Sequence, residues 1–186
     1  QLLYDDIEKR GGRGIMWKTG HSLIKAKMKE EKALLAGEMS GHMFFADRYF
    51  GYDDAIYASC RLIEILAKKQ KPLSSLLADL TVTAVTPEIR FDCSDDVKFR
   101  LVEKVRERFL SLHKNPDPTK PQLAVRDVVT IDGIRVQFDD GWGLVRASNT
   151  QPALVLRFEA NTQARLDSLR TYLEGELDAC QRALGL

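Results

Sequence analysis

Along the N-terminal part of the chain, short apolar runs alternate with apolar stripes at helical spacing. Gly14-Ile15-Met16-Trp17 reads as a short strand. Thr19-Gly20 then turns the chain into a helix over about 21–32, in which Leu23, Ile24 and Met28 share a face and Lys25, Lys29 and Lys32 lie elsewhere. The run Ala33-Leu34-Leu35-Ala36 has the pattern of a buried strand, and Met43-Phe44-Phe45 follows a glycine-flanked gap. Asp53 or Asp54 is placed to cap a helix that buries Ile56, Cys60, Ile63, Leu66 and Ala67. Upstream, Asp5 to Arg10 reads as the end of a helix stopped by Gly11-Gly12. Strand–helix alternation of this kind predicts an α/β layer. The layer has few strands and opens on a helix with no strand to feed it, so its opening strand is expected before Gln1.

The pattern changes further along. Residues 72–88 form a connector, with a short helix expected over 73–80 and β-branched, strand-like residues over 81–85. Ser94-Asp95-Asp96 starts a helix that turns Val97, Leu101, Val105, Phe109 and Leu112 inward, and Asn115-Pro116-Asp117-Pro118 breaks it. Strands over 125–131 and 134–138 flank Asp132-Gly133, a strong hairpin signal. Asp139-Asp140-Gly141 makes a second turn, Trp142 to Val145 and residues 153–160 are further strands, and a last helix to about Leu184 carries Leu166, Leu169, Leu173, Leu177 and Cys180 on one side. The expected fold is a partial three-layer α/β domain over 1–80, a linker or hinge over 81–92, and a small α+β domain over 93–186 whose antiparallel sheet is packed by helices.

Composition removes several functional classes. A net charge of +1 gives no broad attraction to nucleic acid or to an anionic membrane. No apolar run approaches the roughly 20 residues that cross a bilayer, and no secretory signal is visible. Cys60, Cys93 and Cys180 are far apart and odd in number, which suits free thiols in a reducing compartment, and a cytoplasmic location is expected.

The candidate chemistry lies in loops. Gly37-Glu38-Met39-Ser40-Gly41-His42 sets a carboxylate, a hydroxyl and an imidazole at a strand's exit, between glycines that permit a sharp turn. Glu38 can accept from neighbouring hydroxyls, Ser40 can donate or accept, and His42 can meet a hydroxyl or a phosphate. A turn with solvated polar groups fits the same hexapeptide. Arg146-Ala147-Ser148-Asn149-Thr150 joins two expected strands. A guanidinium, two hydroxyls and successive backbone N–H groups suit an anion there, and a polar hairpin loop with a surface arginine is the plainer alternative. Lys18 and His21 flank a helix start, where an anion is favoured. No Walker-type loop, G-x-G-x-x-G, metal-spaced acidic cluster or activated nucleophile appears. The groups present hold a ligand; none is an obvious bond-making centre.

Together, Lys18-Thr19-Gly20-His21-Ser22, the run from Gly37 through His42 to Met43-Phe44-Phe45, and Arg146-Ala147-Ser148-Asn149-Thr150 resemble the bacterial phosphomannomutase/phosphoglucomutase enzymes of the α-D-phosphohexomutase superfamily. Asp53-Asp54-Ala55-Ile56-Tyr57 and Leu154-Val155-Leu156-Arg157-Phe158-Glu159 extend the likeness over nearly the whole chain. The resemblance implies most of the third family domain, which reads the sugar, followed by the fourth, which binds phosphate. It assigns Glu38, Ser40, His42, Lys18 and His21 to the sugar of a mannose or glucose 1- or 6-phosphate, with His21 and His42 as candidate acid–base helpers. Arg146, Ser148, Asn149 and Thr150 fall to the phosphate. The phosphorylated serine and the Mg2+ loop belong to the family's first and second domains, the partners this chain would have in one polypeptide, and a glucose 1,6-bisphosphate-type activator is implied. No catalytic nucleophile and no metal ligand is expected here, and the chain alone is expected to be inactive. A stand-alone sugar-phosphate binding module is the alternative.

Overall fold

Apolar and polar residues alternate over 134–138, while 141–147 and 153–160 carry apolar residues on both faces. In the computed structural model, which describes residues 1–185, β6 (Ile134–Phe138), β7 (Gly141–Ala147) and β8 (Ala153–Ala160) form consecutive antiparallel pairs. β5 (Asp127–Val129) extends the sheet beyond β6, and Gly133 takes φ +74° in the intervening hairpin. The structure divides into two compact units, Gln1–Thr81 and Val82–Leu186. Residue 186, the end of the expected 93–186 domain, lies outside the described residues.

In the second unit, α4 (Asp95–Lys114) and α5 (Gln163–Ala183) cover one face of a six-stranded sheet. Leu101, Val105 and Phe109 from α4 and Leu166, Leu169 and Leu173 from α5 meet Ile134, Val136, Val145, Leu156 and Phe158 in one continuous core. Gly143 lets α5 lie close, since a Cβ there would come within 2.7 Å of Leu173 Cδ1. Because side chains alternate across a strand, Arg135, Trp142, Leu144, Arg146, Val155 and Arg157 are left on the opposite face.

Residues 81–92 do more than link. β3 (Ala84–Val85) and β4 (Ile89–Asp92) both ladder onto the free edge of β8. Between them Thr86 is bonded to Phe158 through its backbone N–H at 3.0 Å and accepts the Phe158 N–H on its hydroxyl at 3.1 Å. Pro87 falls between β3 and β4, where its missing N–H leaves no gap in the ladder.

The first unit is thinner. It comprises α1 (Leu2–Lys9), α2 (His21–Glu31), the hairpin β1 (Leu35–Gly37) and β2 (Met43–Phe45), and α3 (Ala55–Lys69). Ile24, Met28 and Phe44 form its buried cluster, backed by Ala33 and Ala36, and Phe45 is buried beside α3. Several expectations change here. Residues 14–17 are not a strand, because no described strand lies beside them to complete a ladder. The strand expected at 33–36 begins at Leu35, and Leu34 and Leu35 are exposed, since β1 has a single two-stranded sheet to belong to. α3 turns Tyr57 and Arg61 onto Phe45, while Ile56 is 80% and Ile63 63% exposed, the reverse of the expected face. A two-stranded hairpin is too narrow to cover the rest of that helix. The helix expected over 73–80 shrinks to a 3-10 turn at Leu73–Ser75.

Candidate functional site

The 37–42 hexapeptide is the turn of the β1–β2 hairpin. Gly37 pairs with Met43, and Glu38 N–H donates to the His42 carbonyl at 2.9 Å. Gly41 closes the turn at φ +95°, a conformation that side chains with a Cβ rarely adopt. The Glu38 carboxylate is held on both oxygens. Gly20 N–H, at the start of α2, donates to Oε1 at 3.0 Å, and Ser40 Oγ lies 3.3 Å from Oε2. A carboxylate at a helix start is favoured by the amide dipoles. This bond joins the 18–21 segment to the hexapeptide and revises one expectation: the helix start already receives an anion, Glu38 itself. Lys18 and His21, exposed on either side of Gly20, make no side-chain hydrogen bond or ion pair among the described residues.

His42 has a partner that was read from the sequence only as a helix cap. Its Nδ1 is 2.5 Å from Asp53 Oδ2, and Asp53 Oδ1 accepts the Met43 N–H at 3.2 Å. The cap is Asp54, which accepts the Tyr57 N–H at 2.9 Å. The Tyr49 hydroxyl donates to Asp54 at 2.5 Å and, with the Tyr57 N–H, holds that carboxyl below the usual range. Two adjacent aspartates before a helix that needs one cap were the available signal for Asp53.

In the second unit Arg146 sits near the end of β7, half-buried on the sheet face away from the helices. Ser148 is only 6% exposed. Its Oγ accepts the N–H groups of Thr150 and Gln151 at 3.4 and 3.2 Å, so these amides serve the loop's own turn. The hydroxyl proton of Ser148 remains to be donated. Asn149 and Thr150 are exposed at the tip. The far arm of the loop is tied down from outside. Lys98, 3% exposed on α4, donates to the Gln151 carbonyl at 3.0 Å and pairs with Asp95 at 2.5 Å. Cys93 N–H donates to the Pro152 carbonyl at 2.9 Å, and Arg90 donates to the Gln151 side-chain carbonyl.

Strand register adds Arg157. It lies opposite Leu144, while Arg146 lies opposite Val155, so the two arginines are diagonal neighbours on one face, about 7–8 Å apart between Cα atoms by ordinary sheet geometry. Neither has a carboxylate partner among the described residues. Its sequence signal was a cation interrupting the apolar run Leu154-Val155-Leu156 before Phe158. The first unit thus offers acceptors and an imidazole, and the second offers cations and donors. No cluster of three or more His, Cys, Asp or Glu among the described residues is arranged to hold a metal, and no described helix is long and apolar enough to cross a membrane.

Residues 1–83 match the family model for phosphoglucomutase/phosphomannomutase alpha/beta/alpha domain III, and residues 88–176 match that for the C-terminal domain of the same enzymes. The chain belongs to the phosphoglucomutase/phosphomannomutase family. Within that family it is 46% identical over 178 residues to a phosphomannomutase/phosphoglucomutase of Pseudomonas aeruginosa, covering 96% of this chain and 36% of the relative. It is 42% identical over 181 residues to a phosphoglucomutase of Neisseria gonorrhoeae, again with 96% and 36% covered. A crystal structure of a phosphoglucomutase/phosphomannomutase family protein from Burkholderia thailandensis superposes with a TM-score of 0.81 at 42% identity, over 97% of this chain and 36% of that one. The chain therefore spans about a third of the length of the relatives it matches.

Proposed function

We propose that this chain is the substrate-recognition half of a phosphohexomutase that interconverts hexose 1-phosphate and hexose 6-phosphate. The observation that carries the reading is the pair Arg146 and Arg157, two guanidinium groups beside the 146–150 loop that have no carboxylate partner among the described residues. Adjacent unpaired arginines on a half-buried sheet face repel one another and favour an anion with several oxygens, which a phosphate supplies. Ser148 adds a hydroxyl proton, and Asn149 and Thr150 lie at the rim.

The sugar falls to the other loop. Glu38, steadied by Gly20, keeps lone pairs for hydroxyls, and Ser40 supplies a second polar contact. In such a mutase the sugar is phosphorylated by a phosphoserine, passes through a bisphosphate, turns end for end, and returns the other phosphate. A carboxylate that reads two neighbouring hydroxyls accepts both orientations, and the arginines hold whichever phosphate is not reacting. Binding energy remote from the reacting oxygen then lowers the barrier there. Lys18, His21 and His42 border the sugar side. The serine and the magnesium lie in the remainder of the protein on this reading. The donor groups described here do not fit a magnesium ion, and no step is routed through one.

The test uses the full-length protein. Arg146→Ala should weaken hexose-phosphate binding by about 2 kcal/mol, the scale of a charged hydrogen-bonding partner, and should weaken inorganic phosphate alike. Glu38→Ala should weaken the phosphosugar and spare inorganic phosphate. Calorimetric titration of both ligands reads the contrast, and equal losses for Glu38→Ala would reject its assignment to the sugar.

A further inference from the structure

The contact between Asp53 and His42 has no necessary part in folding. Asp54 already caps α3, and the His42 and Asp53 side chains are 54% and 38% exposed. An ion pair so open to water adds little stability. Yet the carboxylate is fixed with care. A backbone bridge ties Asp53 to Phe44 in β2, and Oδ1 takes the Met43 N–H. Oδ2 is thereby set 2.5 Å from His42 Nδ1. A carboxylate only accepts hydrogen bonds, so the proton of this contact is on Nδ1, and in the neutral ring the lone pair is on Nε2.

We propose that Asp53 is a positioning residue that locks His42 in the Nδ1–H tautomer and leaves Nε2 as the proton-accepting atom of the 37–42 loop. The chemical use of that atom rests on the mutase reading above; the tautomer does not. When a sugar hydroxyl attacks the phosphorus of a phosphoserine, the new O–P bond forms as the serine O–P bond breaks. The serine oxygen leaves with the electron pair, and the hydroxyl proton passes to Nε2. The resulting imidazolium shares its charge with Asp53, which stays ionised and keeps the ring from rotating. The return transfer reverses each movement.

Asp53→Asn separates orientation from packing. The asparagine carbonyl can still accept the Met43 N–H, while its amide faces Nδ1 as a donor and favours the opposite tautomer. Long-range proton–nitrogen NMR of the ring, at alkaline pH where a free imidazole is neutral, should show Nδ1–H in the native chain and Nε2–H in Asp53→Asn. The Met43 amide resonance and the thermal midpoint should be retained. The same tautomer in both proteins would overturn the proposal. Asp53→Ser, whose hydroxyl is too short to reach Nδ1, is the second variant and should give a mixture of tautomers; a ring still locked as Nδ1–H would also overturn it. In the full-length protein Asp53→Asn should lower kcat by roughly 10²-fold, the lower end of a general base's contribution, with KM little changed and partial recovery in Asp53→Glu. A raised KM with kcat intact would refute the role in turnover. Tautomer inversion together with full activity in His42→Ala would reject the mutase reading of this loop while supporting the positioning of the ring.

Discussion

The two candidate binding loops are built in opposite ways. The 37–42 loop tops a two-stranded hairpin over a small buried core, and its side chains are set by polar contacts with Gly20 and Asp53. The 146–150 loop leaves the middle of a six-stranded sheet whose inner face is packed by two long helices. One loop owes its geometry to directed hydrogen bonds, and the other to a packed core with a buried lysine at its far arm. Groups that distinguish hydroxyls need fine orientation and room to be approached. A phosphate anchor, the role proposed for the 146–150 loop, needs fixed cations that do not retreat when charge arrives, and a sheet can provide them.

Substitutions can break this contrast at either end, and each unit carries its own reporter, Trp17 in the first and Trp142 in the second. The largest effect is expected from Leu173→Ala, which empties a fully buried position over Gly143. It should cost about 3 kcal/mol, as large-to-small core changes do. Denaturant unfolding should shift the Trp142 transition and leave that of Trp17 in place; a common shift would show that the units do not respond separately.

Gly133→Ala sharpens the comparison closer to the proposed phosphate loop. The residue sits at φ +74°, and a Cβ there would lie 2.4 Å from the Val145 carbonyl oxygen and 2.8 Å from Arg146 Cα. The strain should destabilise the second unit by more than about 1 kcal/mol and displace Arg146. Phosphate affinity should fall with it, measured by titration well below the unfolding midpoint. Unchanged affinity would mean that the sheet absorbs the displacement before it reaches the guanidinium.

The smallest effect tests the first unit's dependence on exposed polar contacts. The Arg48 guanidinium, with Lys68 beside it, pushes Glu64 down to about 2. The group is more acidic folded than unfolded. Its stabilisation is therefore complete above the ordinary glutamate range and is lost as pH falls towards about 2. Acid titration followed by Trp17 should show that loss in the native chain and a flatter response in Glu64→Gln, with the Trp142 response the same in both proteins.

Legibility from sequence followed the same division. In the second half, alternation and helical stripes act on a sheet that is present, so 153–160 and the inward faces of both long helices were read correctly. In the first half the identical reasoning placed Ile56 and Ile63 inside, because periodicity identifies an apolar face without saying whether anything lies against it. At the sites, the glycine-flanked hexapeptide and the 146–150 loop stood out by residue type. Arg157 and Asp53 did not. The first depends on which strand positions share a face, and the second on a hairpin returning to a helix start, neither of which is local in sequence.

The outward isoleucines of α3 bear on how the molecule behaves in water. Exposed apolar surface of this kind is what excluded salts act upon. Sulfate raises the cost of wetting that stripe and the other exposed apolar residues of the first unit, Leu34, Leu35 and Phe50 among them, whereas the second unit exposes fewer, such as Val82 and Phe99. Salting-out of this chain is thus governed mainly by the exposed apolar residues of the first unit rather than by its near-neutral charge.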